Sequence, residues 1–374
     1  MSSISEDLYL QILIRVPVKF TFVCKCVCKN WLDLISSPKF IKMHLDFNIQ
    51  KNNYNLMLNE FSEFSQDYEL HSISYNSLSV ASVNEFQDGV VNMNYPFISE
   101  DHDVALKSSC DGLVCLGFHD GSDFFLCLWN PATNEYLELP EPPREDANEC
   151  EHSYLLDLFS IYALGYDYKI DDYKLVKVLM GGRDSLIYIY TLGSNSWESI
   201  QTIPYKCTIN TGSAGDIIGG AAHWLVETPT NSKAIVSFDI SEQRLEELQL
   251  PEEPLIKKQT FTLGKWDESL CLLVNVDNNI QFDVWVMQEY RVQDSWSKHI
   301  SVTLRSVAKD SFLRLMWSFK NGKILLKTSG DLVLYDPTNA SPSETYICCR
   351  RLVPGVENYV ESLVSLNSGT YVGR

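Results

Sequence analysis

The chain has 374 residues, 45% hydrophobic, 12% aromatic and 21% charged, with a formal net charge of −19 at pH 7. Length and composition are those of a globular protein able to bury a large core, and they exclude disordered and collagen-like classes. The acidic balance argues against a nucleic-acid surface, which needs clustered Lys and Arg, and suits a basic protein partner better.

The first 45 residues differ from the rest. They hold six basic groups (Arg15, Lys19, Lys25, Lys29, Lys39, Lys42) against three acidic ones (Glu6, Asp7, Asp33), a balance of +3 that leaves −22 for the remainder. Ser5 is placed to cap a helix, with Glu6 and Asp7 in its first turn and Ile4 stapling Tyr9. Leu8, Leu10, Ile12, Leu13, Ile14 and Val16 follow, covering more of the helical wheel than one core-facing stripe. Pro17 stops this helix. A second apolar run comprises Phe20, Phe22, Val23, Cys26, Val27 and Trp31, and a third short segment lies around Phe40 and Ile41 after the Ser36-Ser37-Pro38 break.

Three short helices in so few residues are near the lower limit for independent folding. Their surplus apolar surface meets either another protein or the downstream domain. Acidic residues stand where a secretory leader carries Lys or Arg, and no apolar run reaches the roughly 18 residues that span a bilayer. An intracellular protein without membrane contact is expected, cytoplasmic with the nucleus as a second compartment. The eleven cysteines, odd in number and irregularly spaced, read as reduced thiols. Cys24, Cys26 and Cys28 on one helix would fan over about 200°, unlike the convergent ligands of a structural zinc site. No metal and no cofactor are expected.

Beyond about residue 50 the pattern changes to short strands separated by Gly, Asn, Asp and Pro. A strand–turn–strand unit recurs in FFLCLWNPATNEYLELP, LIYIYTLGSNSWESI, AIVSFDISEQRLEELQLP, DVWVMQEYRVQDSWSKH and DLVLYDPTNASPSETYI. With Asn130, Leu192, Asp239, Met287 and Asp336 as equivalent points, the spacings are 62, 47, 48 and 49 residues. That period matches propeller blades of about 40–50 residues. The long first spacing coincides with the insert EPPREDANECEHS, read as an exposed loop. The fold class is therefore α+β multidomain, a small all-α unit at 1–45 and an all-β propeller of about six blades at 50–374. A pair of β-sandwiches is the alternative that the regular repeat disfavours.

Two stretches carry a family resemblance. ISEDLYLQILIRVPVKFTFVCKCVCKNWLDLISSPKF is similar to the F-box of plant proteins, above all in KCVCKNW and in the ungapped spacing from Pro17 to Trp31. CDGLVCLG, LWNPATNEYLELP, YALGYDYKIDDYKLVKV and DVWVMQEYRVQDSWSKH resemble the F-box-associated, kelch-like region of the same proteins, including their S-locus members. The resemblance implies a substrate-recognition subunit of an SCF-type ubiquitin ligase, itself not a catalyst. It implies an adaptor subunit docked on Leu8, Ile12, Leu13, Val16, Pro17, Val18, Val27, Cys28 and Trp31, with cullin and RING subunits reached through that adaptor. The start departs from the family pattern, with Ile4-Ser5 for Leu-Pro and no Arg in Phe20-Thr21-Phe22-Val23-Cys24.

S-locus members recognise basic self-incompatibility ribonucleases, and a body of −22 would steer such a target inward. A negative surface also serves simply to keep a propeller dispersed. Candidate target-binding residues are Glu100, Asp101 and Asp103 in SEDHD, and Glu141, Glu145, Asp146, Glu149 and Glu151 in the acidic insert. No catalytic residue is assigned. The chain lacks GxxxxGK[ST], GxSxG, HExxH and paired CxxC, and His223 beside Trp224 reads as strand packing. A non-degradative scaffold or inhibitor module is the second reading. A kelch-type copper oxidase is the third, and no set of two His with a Tyr and Cys marks it out.

Overall fold

The computed structural model describes residues 6–366 apart from 63–66, 81–88, 98–102, 121–122, 144–159, 181–183, 208–214, 253–259, 278–280, 305–312, 329–330, 338–342 and 348–351. The N-terminal headpiece has four helices where three were expected: α1 (Glu6–Leu13), α2 (Val18–Lys25), α3 (Lys29–Ile35) and α4 (Pro38–Gln50). The second apolar run is divided at Cys26-Val27-Cys28. Cys26 closes α2, and Cys28 takes an extended conformation (φ −162°, ψ 166°) to start α3. No Gly or Pro marks this break. Cysteine and β-branched valine are weak helix formers, so interrupting the helix costs little and lets α3 fold back on α2.

Pro17 also acts differently from expectation. The α1 helix ends at Leu13, and Pro17 is the residue from which α2 begins. The α4 start follows the expected logic, with Pro38 in the first turn and the Phe40 amide donating to Ser37 Oγ at 3.2 Å. The buried His44 ties α4 to the segment before α2 through Nε2 and the Val16 carbonyl, 2.8 Å apart. Ser5 and Ile4 lie outside the described residues.

The remainder forms six antiparallel sheets, each a blade. Blade 1 contains β1 (Tyr54–Ser62), β2 (Asp67–Ser74) and β3 (Val90–Asn92), with helix α5 (Tyr75–Val80) between the last two. Blade 2 contains β4 (Asp103–Cys110), β5 (Leu113–His119), β6 (Phe124–Asn130) and β7 (Glu135–Glu138). Blade 3 contains β8 (Ile161–Asp167), β9 (Asp172–Met180), β10 (Ser185–Thr191) and β11 (Ser196–Ile203). Blade 4 contains β12 (Lys206–Cys207), β13 (Asp216–Ile218), β14 (Ala221–Glu227), β15 (Lys233–Asp239) and β16 (Arg244–Leu248). Blade 5 contains β17 (Thr260–Trp266), β18 (Ser269–Asp277), β19 (Gln281–Met287) and β20 (Trp296–Thr303). Blade 6 contains β21 (Leu313–Ser318), β22 (Ile324–Thr328), β23 (Leu332–Asp336) and β24 (Ser343–Ile347).

The last strand, β25 (Leu352–Val360), returns to blade 1 as its inner strand and pairs with β1. Closing the ring with one chain end on the other completes blade 1 and leaves the outer strand of each blade as its sheet edge. The repeat points Asn130, Leu192, Asp239, Met287 and Asp336 all fall at the end of the third strand of blades 2 to 6, or one residue beyond it. The turns that follow confirm the equivalence, because Asn134, Asn195, Gln243 and Arg291 each adopt positive φ there. The expected loop EPPREDANECEHS lies mostly in 144–159, outside the described residues.

The apolar core is divided among the seams between blades. The seam between blades 3 and 4, for instance, buries Val176, Ile189, Trp224 and Phe238 together. The seam between blades 2 and 3 is larger. There Leu128, Tyr162, Leu175 and Tyr190 join headpiece residues Leu13, Val18, Ile35, Phe40 and Leu45 in one continuous cluster. The headpiece therefore packs on the propeller and is not a free appendage.

Strand direction fixes which loops share an end. First-to-second and third-to-fourth turns emerge on the headpiece side, since α4 leads into β1 there. The second-to-third connections and the links between blades lie at the opposite end.

Candidate functional site

Packing one side of the headpiece against the propeller leaves apolar side chains on the other. Leu8 and Ile12 are one turn apart on α1, and Ile12 is 56% exposed. Phe20 and Val23 are exposed on α2, Leu32 on α3, and Val27 in the intervening turn is 62% exposed. The rings of Tyr9 and Trp31 meet edge to face with centroids 5.9 Å apart, bringing α1 onto α3. Lys19 Nζ lies 5.3 Å from the centre of the Phe20 ring, placing positive charge at the border of the patch.

The nine residues proposed for adaptor docking divide by this criterion. Leu8, Ile12, Pro17, Val27 and Cys28 are exposed, while Val16 and Trp31 are half-buried. Leu13 and Val18 are instead 1% and 2% exposed and belong to the seam with the propeller. The wheel of α1 is apolar on nearly every side, so periodicity could not separate its inner from its outer residues. Phe20, Val23 and Leu32 were missed as candidates. Their signal was the excess of large apolar residues in the second run over what so short a helix can bury.

Two of the acidic candidates are described, and both sit at the other end. Asp103 begins β4, with its Oδ2 3.4 Å from His119 Nε2, and Glu141 is exposed after blade 2. Glu100, Asp101, Glu145, Asp146, Glu149 and Glu151 lie outside the described residues. Asp103 and Glu141 are on the face away from the headpiece.

A third cluster lines the propeller axis. Arg314 on β21 and Lys327 on β22 stand opposite each other in register, both almost fully buried. Two like charges so placed require compensation. Arg314 Nη2 reaches Asp216 Oδ1 of blade 4 at 2.9 Å, and Nη1 lies 3.8 Å from Glu357 Oε1 of β25. Burial, with Arg314 beside it, pulls Lys327 down to about 8. Burial pushes Glu357 up to about 7, with Arg314 opposing the rise. His223 is buried as expected, its Nδ1 3.2 Å from the Asp216 carbonyl and its Nε2 2.8 Å from the Tyr290 hydroxyl. These links tie blades 1, 4, 5 and 6 across the axis. Among the described residues no three His, Cys, Asp or Glu side chains converge as a metal set.

Comparison with known proteins places these features. The F-box domain model matches residues 1–43, and the F-box associated beta propeller domain model matches residues 63–366. The chain is 29% identical to the F-box/kelch-repeat protein At3g23880 of Arabidopsis thaliana over 337 residues, covering 88% of this chain and 86% of the relative. It is 27% identical to the F-box protein CPR1 of Arabidopsis thaliana over 363 residues, covering 90% and 82%. An apolar-faced helical headpiece seated on a six-bladed ring, matched by both models, identifies the chain as an F-box protein with an F-box associated β-propeller domain.

Proposed function

We propose that the chain is the target-binding subunit of an SCF-type ubiquitin ligase and carries no catalytic group of its own. The headpiece, residues 1–45, docks the adaptor, and through it the cullin and RING subunits; the propeller, residues 50–374, holds a protein target. Ubiquitin transfer is then performed by the other subunits on target lysines raised to high effective concentration by tethering. The observation that carries this reading is the outer headpiece face, where Leu8, Ile12, Phe20, Val23 and Val27 stay exposed although the headpiece already has a core to pack against.

The target surface proposed is the end of the propeller away from the headpiece, around Asp103 and Glu141; the other acidic candidates, in 100–101 and 145–151, lie outside the described residues. The charge of −22 outside the first 45 residues favours a basic target, of which a self-incompatibility ribonuclease is one instance. No described helix is long and apolar enough to cross a membrane, in keeping with a cytoplasmic or nuclear ligase.

The test is co-purification with a recombinant plant adaptor subunit. An Ile12→Asp, Val27→Asp chain should lose adaptor binding at least 100-fold while its melting temperature stays within 2 °C of wild type, because both side chains are exposed. Retained adaptor binding by that variant would sink the reading. In the native tissue, wild type should also lower the level of a co-purifying protein. Unchanged levels with intact binding would mark a non-degradative scaffold instead.

A further inference from the structure

After Val360 the chain leaves blade 1 but does not run into solvent. Residues 361–366 cross the headpiece end of blade 2, and Ser362, Leu363, Val364 and Leu366 are buried. Polar contacts fix the path. Asn130 Nδ2 donates to the carbonyls of Ser362 and Val364 at 3.2 and 2.6 Å, and the Leu366 amide donates to Glu135 Oε2 at 2.7 Å. Gly112, in the turn between β4 and β5, has φ +88°, and a Cβ there would lie 2.7 Å from the Val360 carbonyl oxygen. The Gly of CDGLV and the Asn of LWNPAT thus both serve the passage of this segment.

On its other side the segment meets the headpiece. Leu363, Val364 and Leu366 share one apolar cluster with Leu13, Val18, Ile35, Phe40, Ile41 and Leu45. Charges are matched along the same line, with Lys19 within electrostatic reach of Glu361 and Lys25 of Glu135. The headpiece rests on blades 2 and 3 partly through this segment, while its only covalent tie to the propeller is the link 51–53.

We propose that residues 361–366 are a strut that sets where the adaptor-docking face stands relative to the propeller, and hence relative to a target at the far end. The strut's role in transfer rests on the receptor reading above. Its residues act by positioning: they join the headpiece through its buried side, at Leu13, Val18 and Phe40, in a cluster that does not include the exposed Leu8, Ile12, Val23 and Val27. A receptor with a loosened headpiece would still bind adaptor and target, but would present target lysines over a wide range of distances, weakening the proximity effect.

The experiment places fluorophores, as unnatural amino acids, at the exposed positions Lys29 on α3 and Glu289 in the third turn of blade 5. The distance distribution between them is measured in the full chain, in a chain ending at Val360, and in Asn130→Asp. The aspartate keeps the acceptor for the Ala132 and Thr133 amides but removes the donor to the strut, so blade 2 keeps its turn. The distribution should broaden at least twofold in the shortened chain and measurably in Asn130→Asp, with adaptor affinity within threefold of wild type in both. Adding a synthetic peptide of residues 361–374 to the shortened chain should narrow the distribution again. A distribution as narrow in both variants as in the full chain would overturn the strut. Failure of the full chain itself to bind adaptor would remove its role in transfer, and the distance measurement would still decide whether the strut holds the headpiece.

Discussion

The two ends of this chain are anchored to the propeller by opposite kinds of interaction. The N-terminal headpiece is held by an apolar seam in which Leu13, Val18, Phe40 and Leu45 meet blades 2 and 3. The C-terminal strand β25 is held by its ladder with β1 and by Glu357 facing Arg314 beside Asp216 and Lys327. Apolar burial is non-directional and nearly independent of pH, whereas a buried ionic cluster is directional and carries its desolvation cost as shifted protonation. The headpiece can therefore settle by small slides, but the ring can close in only one register.

The harshest way to break the comparison is to unpair the axial cluster. Arg314→Ala leaves Asp216 and Glu357 facing each other without their shared cation, and should cost about 3–5 kcal/mol in global stability, read from urea unfolding. Phe40→Ala at the apolar seam should cost about 3 kcal/mol, but in the headpiece first. Amide exchange in α4 should quicken before that of β25. If both variants loosened the whole chain together, seam and ring would be one cooperative unit and the contrast would fail.

Protonation sharpens the comparison further. Glu357 binds its proton more tightly folded, at about 7, than unfolded near the ordinary carboxylate value of 4.5. The stabilisation from its neutral form is complete below pH 4.5 and is lost as pH rises through 7. The melting temperature of Glu357→Gln minus that of wild type should therefore climb between pH 4.5 and 7. A flat difference would show that Glu357 is charged and fully compensated by Arg314. Lys327, lowered from 10.5 to about 8, acts in the other direction, contributing stability that grows as pH rises from 8 to 10.5.

How much of this was legible follows from where each signal resides. The blades were readable because a hairpin is local: its apolar strands, polar turn and 47- to 49-residue period stand in the sequence from Leu192 to Asp336. The closing strand was not readable. LVPGVENYV carries Pro354 and Gly355, which locally argue against a strand, and its partner β1 is about 300 residues away. Arg314 and Asp216 are 98 residues apart, so only the ring brings them together. The headpiece was legible as a docking unit but not by face, because Leu13 beside Ile12 and Val18 beside Pro17 differ only in which way the tertiary fold turns them.

The smallest effect tests the headpiece at a titratable polar link within it. His44 donates from Nε2 to the Val16 carbonyl while its Nδ1 lies 3.1 Å from Asn48 Nδ2, an arrangement that suits the neutral ring. Burial lowers its proton affinity, with the bond to Val16 opposing the shift. The unfolded chain thus takes up this proton first on acidification, and the stability that His44 contributes is present above the ordinary histidine value of 6.5 and is lost as pH falls below it. Exchange protection of α4, corrected for the intrinsic pH dependence of exchange, should fall by a few-fold between pH 7.5 and 5.5 in wild type and stay level in His44→Gln. The axial cluster gains from Glu357 over much of the same interval, so acid should loosen the headpiece while the ring tightens. Parallel weakening of α4 and β25 would mean that His44 senses the whole ring and not the headpiece alone.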